Sequence, residues 1–370
     1  MKKFFFYVIM IALVIVVPIG AVTGYFLYRK LTFSYDYCEP YGQIDSQTGW
    51  RLKSNANSCL KLQNHVTGKV YFDTKIYTNT LGFRSASPQT TVAQTRPIAA
   101  IGDSWTFGYG VDYEESFPHL LEKELGVATL NLGVPAYGSG STLQLFSRHF
   151  DTLKPSVVVH FTLGLWTRSI CRANEVEKTL LPCFWIDQYG DAQFSLPQAS
   201  FVEDAAKEHQ YPGGYLTSGY KFREMFFILK PREIAQSVST YMAAISKRIG
   251  LTTRLENDKT SLSDEDTRKI LELELRIYKG ILVNTDTMFV LYDPRGYYMY
   301  SLSEIKQALG RRFIYLSAQE WEADVASRFK DLPADEVTVP GDGHYAVGAN
   351  RLIAKSLANA LSDFRKQSTK

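Results

Sequence analysis

Pro97-Ile98-Ala99-Ala100-Ile101-Gly102-Asp103-Ser104-Trp105-Thr106-Phe107-Gly108-Tyr109-Gly110 is the stretch on which the fold turns. A short run of small and aliphatic residues with no polar face predicts a strand buried on both sides, and Gly102 closes it where the chain must turn. Beyond it the pattern alternates. Ser116 to Leu125 predicts a helix ending at Gly126, Val127 to Leu132 a strand, Thr142 to Leu153 a helix ending before Pro155, and Val157 to Leu163 a further apolar strand. Strands alternating with helices predict an α/β domain of three layers, α/β/α, with a parallel sheet covered on both faces. In such sheets the active site forms at the carboxyl ends of the strands, which is where Ser104 falls.

Regular structure is expected again toward the C-terminus. Ser263 with Asp266 resembles a capping box for a helix running to about Tyr278. Thr287 to Tyr292 and Arg312 to Leu316 are strand-like, and Ala346 to Leu361 closes the chain as an amphipathic helix. Residues 168–255 interrupt the alternation with Cys171, Cys183, several aromatics and the turn-rich Tyr211-Pro212-Gly213-Gly214, and are expected to form an insertion serving as a lid or substrate wall. Ahead of the domain, residues 31–95 have scattered tyrosines among turn formers, which predicts a strand-and-loop lead-in ending in a linker from Ser85 to Arg96. The domain itself is placed at 96–365.

The N-terminus has a different character. Phe4 to Tyr28 is 25 residues without a charge, preceded by Lys2 and Lys3 and followed by Arg29 and Lys30. As a helix it would reach roughly 37 Å, enough to cross a hydrocarbon core of about 30 Å with some tilt. A cleaved signal peptide would stop sooner and end in a small-x-small site, of which Ala21-Val22-Thr23 is a poor version. Residues 1–30 are therefore expected to be a retained transmembrane anchor, or signal anchor. Basic residues at both ends leave the charge bias nearly even. The four cysteines are spaced as two local pairs, Cys38 with Cys59 and Cys171 with Cys183, which suits two disulfides in an oxidising compartment, although four cysteines allow three connectivities and buried free thiols are the alternative. The expected placement is a catalytic domain outside the cytoplasm, periplasmic or at the cell surface.

Composition removes several classes of function. A chain of 370 residues that is 45% apolar can build a full core. Its net charge of +3 is a small difference between 41 basic and 38 acidic side chains, with no run dense enough to track a phosphate backbone, so nucleic acid is excluded as a partner. There is no Cys-x-x-Cys or His-Glu-x-x-His, and no Gly-x-Gly-x-x-Gly follows at Gly108-Tyr109-Gly110, so neither a metal nor a dinucleotide cofactor is expected.

A serine hydroxyl needs exposure on a tight turn, a base to take its proton and amides to hold the resulting oxyanion. Ser104 after a strand end meets the first need, although Thr106 breaks the Gly-x-Ser-x-Gly elbow of lipases. Of the six histidines, His119 and His149 fall in helix-like segments, His160 in the buried strand, and His65 and His209 in poorly patterned regions. Only His344 occupies a polar, glycine-rich loop, Gly341-Asp342-Gly343-His344, just before a helix. Asp342 is placed to hold one ring nitrogen of His344 and leave the other free for the serine proton. Its alternative role is to cap the following helix or turn. Asp103 is assigned to the turn, and Phe83 with Arg84 to a packed anchor between lead-in and domain.

Four ordered blocks carry a resemblance to the SGNH/GDSL hydrolase family, above all to its membrane-attached bacterial members. They are Tyr77-Thr78-Asn79-Thr80-Leu81-Gly82-Phe83-Arg84, Ile101 to Val111 around Gly-Asp-Ser, Asn131-Leu132-Gly133-Val134-Pro135-Ala136-Tyr137-Gly138, and Gly341-Asp342-Gly343-His344-Tyr345. The resemblance implies a flavodoxin-like sheet, a serine esterase activity, Ser104 as nucleophile, His344 as base and Asp342 as its orienter. Many members place that aspartate three residues before the histidine; in this chain the interval is two. It further implies an oxyanion hole made by the amide of Ser104, a second-block amide that falls at Ala136 with Gly133 and Gly138 as neighbours, and an asparagine of a third block. Gly164-Leu165-Trp166 stands in place of that third block, and the Leu165 side chain cannot donate. One lost donor costs about 10²–10³ in rate. Either Thr167, Arg168 or the Trp105 N–H substitutes, or the chain is slow or catalytically degenerate.

The expected substrate is an acyl ester, an O-acylated envelope glycan, lipid or small ester, cleaved through an acyl-enzyme. An O-acyltransferase of the same fold differs only in the acceptor, and a binding or assembly protein on the same scaffold is the alternative from a different class.

Overall fold

In a computed structural model of the chain, residues 33–88, 96–163, 165–174, 176–200 and 262–368 are described, with the single positions 20 and 24. Two units are distinguished: a smaller one of Met1–Asp36, Leu62–Val70 and Gly219–Ser261, and a larger one holding the remainder. Of the smaller unit, a tight turn is described in which Asn64 Oδ1 accepts from the N–H groups of Val66 and Thr67, at 2.9 and 3.0 Å.

In chain order the strands are β1 (Phe33–Tyr37), β2 (Gly42–Asp45), β3 (Gly49–Leu52), β4 (Asn57–Asn64), β5 (Val70–Thr78), β6 (Arg84–Ser85), β7 (Ile98–Gly102), β8 (Thr129–Gly133), β9 (Val157–Phe161), β10 (Cys183–Ile186), β11 (Ala192–Ser195), β12 (Met288–Tyr292) and β13 (Phe313–Leu316). The helices that position the site are α1 (Ser104–Phe107), α2 (Phe117–Leu125), α3 (Ser139–Leu153), α4 (Asp264–Leu282) and α5 (Val347–Ser368).

The expected alternation is present. β7 and β9 are buried along their whole length, as their unbroken apolar runs require. Strands β8, β7, β9, β12 and β13 are neighbours in that order and every pair is parallel. Numbered by their own sequence this is 2-1-3-4-5, the doubly wound order in which ligands bind where the connections diverge, between the first and third strands. Those two are β7 and β9. On one face Ile98, Ala100, Val157, Val159, Phe161 and Val290 pack with Phe117 and Leu121 of α2 and with Ile353, Leu357 and Leu361 of α5. On the other, Tyr278 of α4 stacks on Phe289 at 4.9 Å and meets His160 at 5.4 Å and Phe146 of α3 at 5.9 Å.

Helix ends follow local chemistry. Gly126 is left-handed and caps α2 by donating to Glu122 O. Ser263 accepts from Asp266 N–H at 3.0 Å at the start of α4, where Asp264, Glu265 and Asp266 complement the helix dipole.

The lead-in differs from expectation. The larger unit's sheet runs β4-β5-β6-β8 before reaching the parallel core, and Arg84 of β6 pairs antiparallel with Asn131 of β8. The sheet is therefore mixed, with strands from the stretch before residue 95 joined to the parallel core. β5 buries alternate residues, as a strand with one face on the core must, but a strand's partner is a long-range property. The four cysteines pair as Cys38–Cys59 and Cys171–Cys183. Of the insertion, the described part comprises short 3₁₀ turns and the hairpin β10–β11; Tyr211-Pro212-Gly213-Gly214 lies outside the described residues. The anchor expected over Phe4 to Tyr28 also lies outside them, apart from positions 20 and 24. Among the described residues no helix is long and apolar enough to cross a membrane.

Candidate active site

The turn after β7 admits only glycine at position 102. Its φ is +156°, and a Cβ there would sit 2.2 Å from Thr106 Oγ1 and 2.9 Å from Phe161 O. Asp103 then caps α1, its Oδ1 accepting from Trp105 N–H at 3.0 Å, so Ser104 becomes the first residue of a single helical turn. That settles the structural role expected for Asp103. It also occupies the Trp105 N–H, which is therefore not a substitute oxyanion donor.

Arg84 holds the far end of the turn. Its guanidinium is buried and donates from Nη1 to Phe107 O and Gly108 O and from Nη2 to Val111 O, each at 2.6 Å, while lying 4.5 Å over the Phe107 ring. Burial draws its pKa down to about 10, which leaves it charged at neutral pH. The anchor expected at Phe83-Arg84 exists, and its partner is the backbone of the turn that follows Ser104.

His344 arrives from the opposite end of the chain. Its loop is closed on Val339, whose O accepts from the N–H of Asp342 at 3.2 Å and of Gly343 at 3.1 Å, and whose N–H donates to His344 O at 2.7 Å. Asp342 Oδ1 takes the His344 N–H at 3.1 Å and also engages His344 Nδ1. The other ring nitrogen, Nε2, lies 2.8 Å from Ser104 Oγ. The imidazole is flanked by Trp105 and Tyr109, both with ring centroids at 4.9 Å, and Trp105 in turn meets Tyr345 at 4.2 Å. With Nδ1 donating to the carboxylate, Nε2 is left as the acceptor for the serine hydroxyl proton. Asn350 ties the same loop to the core: its Oδ1 accepts from Phe117 N–H and its Nδ2 donates to Tyr345 O and Ala346 O, all at 3.0 Å.

The four oxyanion positions separate. Gly133 donates its N–H to Asn131 Oδ1 at 3.0 Å and touches the backbone of α1 so closely that a Cβ would lie 2.2 Å from Phe107 N. It is a packing glycine, and its expected donor role is withdrawn. Gly138 is the N-cap of α3, pressed against Ser169, and helps line a small cleft behind Ser104 with Asp103, Ser139, His160 and Thr162. Ala136 is left-handed at φ +66° in the loop from β8 to α3. Among the described residues, neither the Ser104 N–H nor the Ala136 N–H donates to a protein acceptor. Thr167 and Arg168 are exposed on the turn Leu165–Ser169; the Leu165 side chain lies outside the described residues.

Electrostatics sort the remaining groups. His160 is pushed down to about 3 by burial, so it stays neutral and is excluded as an ionisable base. Asp103 is raised to about 6 by burial, against the Trp105 N–H and the charges of Arg168 and His344. A carboxyl whose folded pKa lies above its unfolded value of 3.8 contributes stability below that value and loses it as pH rises through about 6. Asp103→Asn should therefore lose less stability than the parent between about pH 4 and pH 7 in urea titrations; equal losses would show that this carboxyl ionises as freely folded as unfolded. Among the described residues no group of three His, Cys, Asp or Glu side chains is placed to hold a metal ion.

The sequence did not disclose the aromatic clamp on His344 or the carbonyl targets of Arg84, because both join segments far apart in the chain. No protein-family model and no curated protein matches the chain. Similar solved structures include a G-D-S-L family protein from Desulfitobacterium hafniense DCB-2, at 14% identity and TM-score 0.29 over 72% of this chain and 99% of that one. An acetyl xylan esterase from the rumen bacterium Butyrivibrio proteoclasticus is similar at 8% identity and TM-score 0.38, over 90% of this chain and 87% of that one. At that similarity the function rests on the geometry of the site.

Proposed function

We propose that this chain is a serine hydrolase of the SGNH/GDSL type, cleaving acyl esters with Ser104 as nucleophile, His344 as base and Asp342 as the group that orients it. The observation that carries the reading is the 2.8 Å contact between Ser104 Oγ and His344 Nε2, made across 240 residues of chain with Nδ1 already engaged by Asp342. As Oγ attacks the ester carbonyl, its proton passes to Nε2 and the C=O π electrons move onto oxygen. The N–H groups of Ser104 and Ala136 supply the positive end for that oxyanion. Collapse expels the alcohol, which takes the proton back from Nε2 and leaves an acyl-serine. Water resolves it in an esterase, and a sugar hydroxyl in an O-acyltransferase.

The substrate is taken to be an O-acylated envelope glycan, lipid or small ester. The apolar run from Phe4 to Tyr28 and the two disulfides support an extracytoplasmic domain on an N-terminal membrane anchor. A fluorophosphonate probe tests the chemistry. The folded chain should be labelled at one site and Ser104→Ala should not. Absence of labelling on folded parent chain would instead mark a binding protein built on a hydrolase scaffold.

A further inference from the structure

We infer that Tyr297, Met299 and Tyr300, on the loop that follows β12, form a stacking platform for the sugar rings of a glycan whose acyl ester is presented to Ser104. The inference deepens the hydrolase reading above and rests on it for the position of the ester.

Three observations carry it. The first is exposure: Tyr297 is 38%, Met299 52% and Tyr300 78% exposed, within four consecutive residues. Single exposed apolar side chains are ordinary, whereas a contiguous group marks a contact surface. The second is place. β12 stands two strands from β7 in the sheet, about 10 Å, and the loop leaves its carboxyl end on the same rim as Ser104. Thr162, which lines the cleft behind Ser104, donates its N–H to Tyr292 O at 2.9 Å, immediately before the loop begins. Arg295 of the loop also lies close enough to Tyr345 for its charge to act on that phenol, and Tyr345 packs on Trp105 beside His344.

The third is rigidity. Asp293 accepts from Gly296 N–H at 3.0 Å and, through its other oxygen, from Tyr298 N–H at 2.9 Å and Tyr315 OH at 3.0 Å. Tyr298 itself is buried and donates its hydroxyl to Glu274 at 3.0 Å. The loop is thus pinned from beneath by Tyr298 while its neighbours face outward. Tyrosine offers a broad apolar face with a polar tip and loses little entropy on contact, which suits a pyranose whose C–H face is apolar and whose rim is hydroxyls. A glycan lying on the platform runs along the same rim on which β7 delivers Ser104, so an ester carried further along it can reach the hydroxyl.

Binding is measured by calorimetry on the Ser104→Ala chain, which removes turnover, with hexasaccharides of β-1,4-linked glucose, xylose, N-acetylglucosamine and mannuronate as probes. At least one should bind with a Kd of about 1 mM or tighter, and adding Tyr297→Ala with Tyr300→Ala should weaken it by about tenfold or more. On the parent background the same pair of substitutions should leave fluorophosphonate labelling of Ser104 and turnover of ethyl acetate unchanged. Binding that survives loss of both tyrosines, or no binding of any of the four sugars, overturns the platform. Failure of labelling overturns the hydrolase reading instead, and the calorimetric result stands apart from it.

Discussion

His344→Ala is expected to lower ester turnover on the order of 10⁴–10⁶-fold, with little change in KM for a small ester. Without Nε2 at 2.8 Å, nothing among the described groups is poised to accept the Ser104 proton: His160 is buried and neutral, and Asp103 has one oxygen engaged by the Trp105 N–H. Ser104→Ala should fall about as far, and the double variant no further, since residues that act as one unit are not additive. Asp342→Asn should cost roughly 10⁴-fold, because an amide that donates to Nδ1 favours the tautomer with its proton on the wrong nitrogen. The measurement is kcat on ethyl acetate by titration of released acid. A His344→Ala variant with more than about a tenth of parental kcat would refute the assigned base.

Arg84→Met should have the largest effect on the framework of the site. Of the three carbonyls that now accept from the guanidinium, Val111 O would lose its donor, while Phe107 O would keep only Asn131 Nδ2 and Gly108 O only the Val111 N–H, each at 3.3 Å. An unpaired buried carbonyl costs about 1–3 kcal/mol and the two weakened ones add to it, offset in part by the desolvation cost that the buried cation no longer bears, so a net loss of roughly 1–3 kcal/mol is expected. Turnover should fall by about 10²-fold as well, since these carbonyls fix the exit of α1 and a displacement of about 1 Å at a reacting atom is that costly. Arg84→Lys should not rescue it, as one ammonium cannot reproduce a planar fork aimed at separate acceptors. Urea denaturation and kcat read the two effects separately. If Arg84→Met unfolds at the parental midpoint, the guanidinium is not what holds this loop.

What was legible in the chain was local. The unbroken apolar runs at β7 and β9, the glycine at 126 and the serine at 263 each state their element and its end within a few residues. Three strands and two intervening helices were enough for a layered α/β sheet. The serine and histidine were legible for a related reason, since each sits on a polar, glycine-rich turn where the buried pattern breaks. α3 starts three residues before the expected Thr142 because Ser139-Gly140-Ser141 has no apolar side chain to announce a helix; close packing with Ser169, whose Oγ accepts from Gly140 N–H at 2.8 Å, holds it instead. Glycine at 133 fits both a close backbone approach and a turn beside an oxyanion hole, and it is the packing of α1 against it that decides for the first. The pairing of β6 with β8 was illegible in principle: a two-residue strand has no periodicity of its own.

That short strand has a practical consequence. Anyone trimming this polypeptide to the part that reads as an enzyme would cut near residue 96 and discard the guanidinium that secures the serine-bearing turn. The product would keep every reacting side chain and still be a poor catalyst. Grafting the activity onto another host requires carrying the upstream ribbon with it, because the two stretches are one working part.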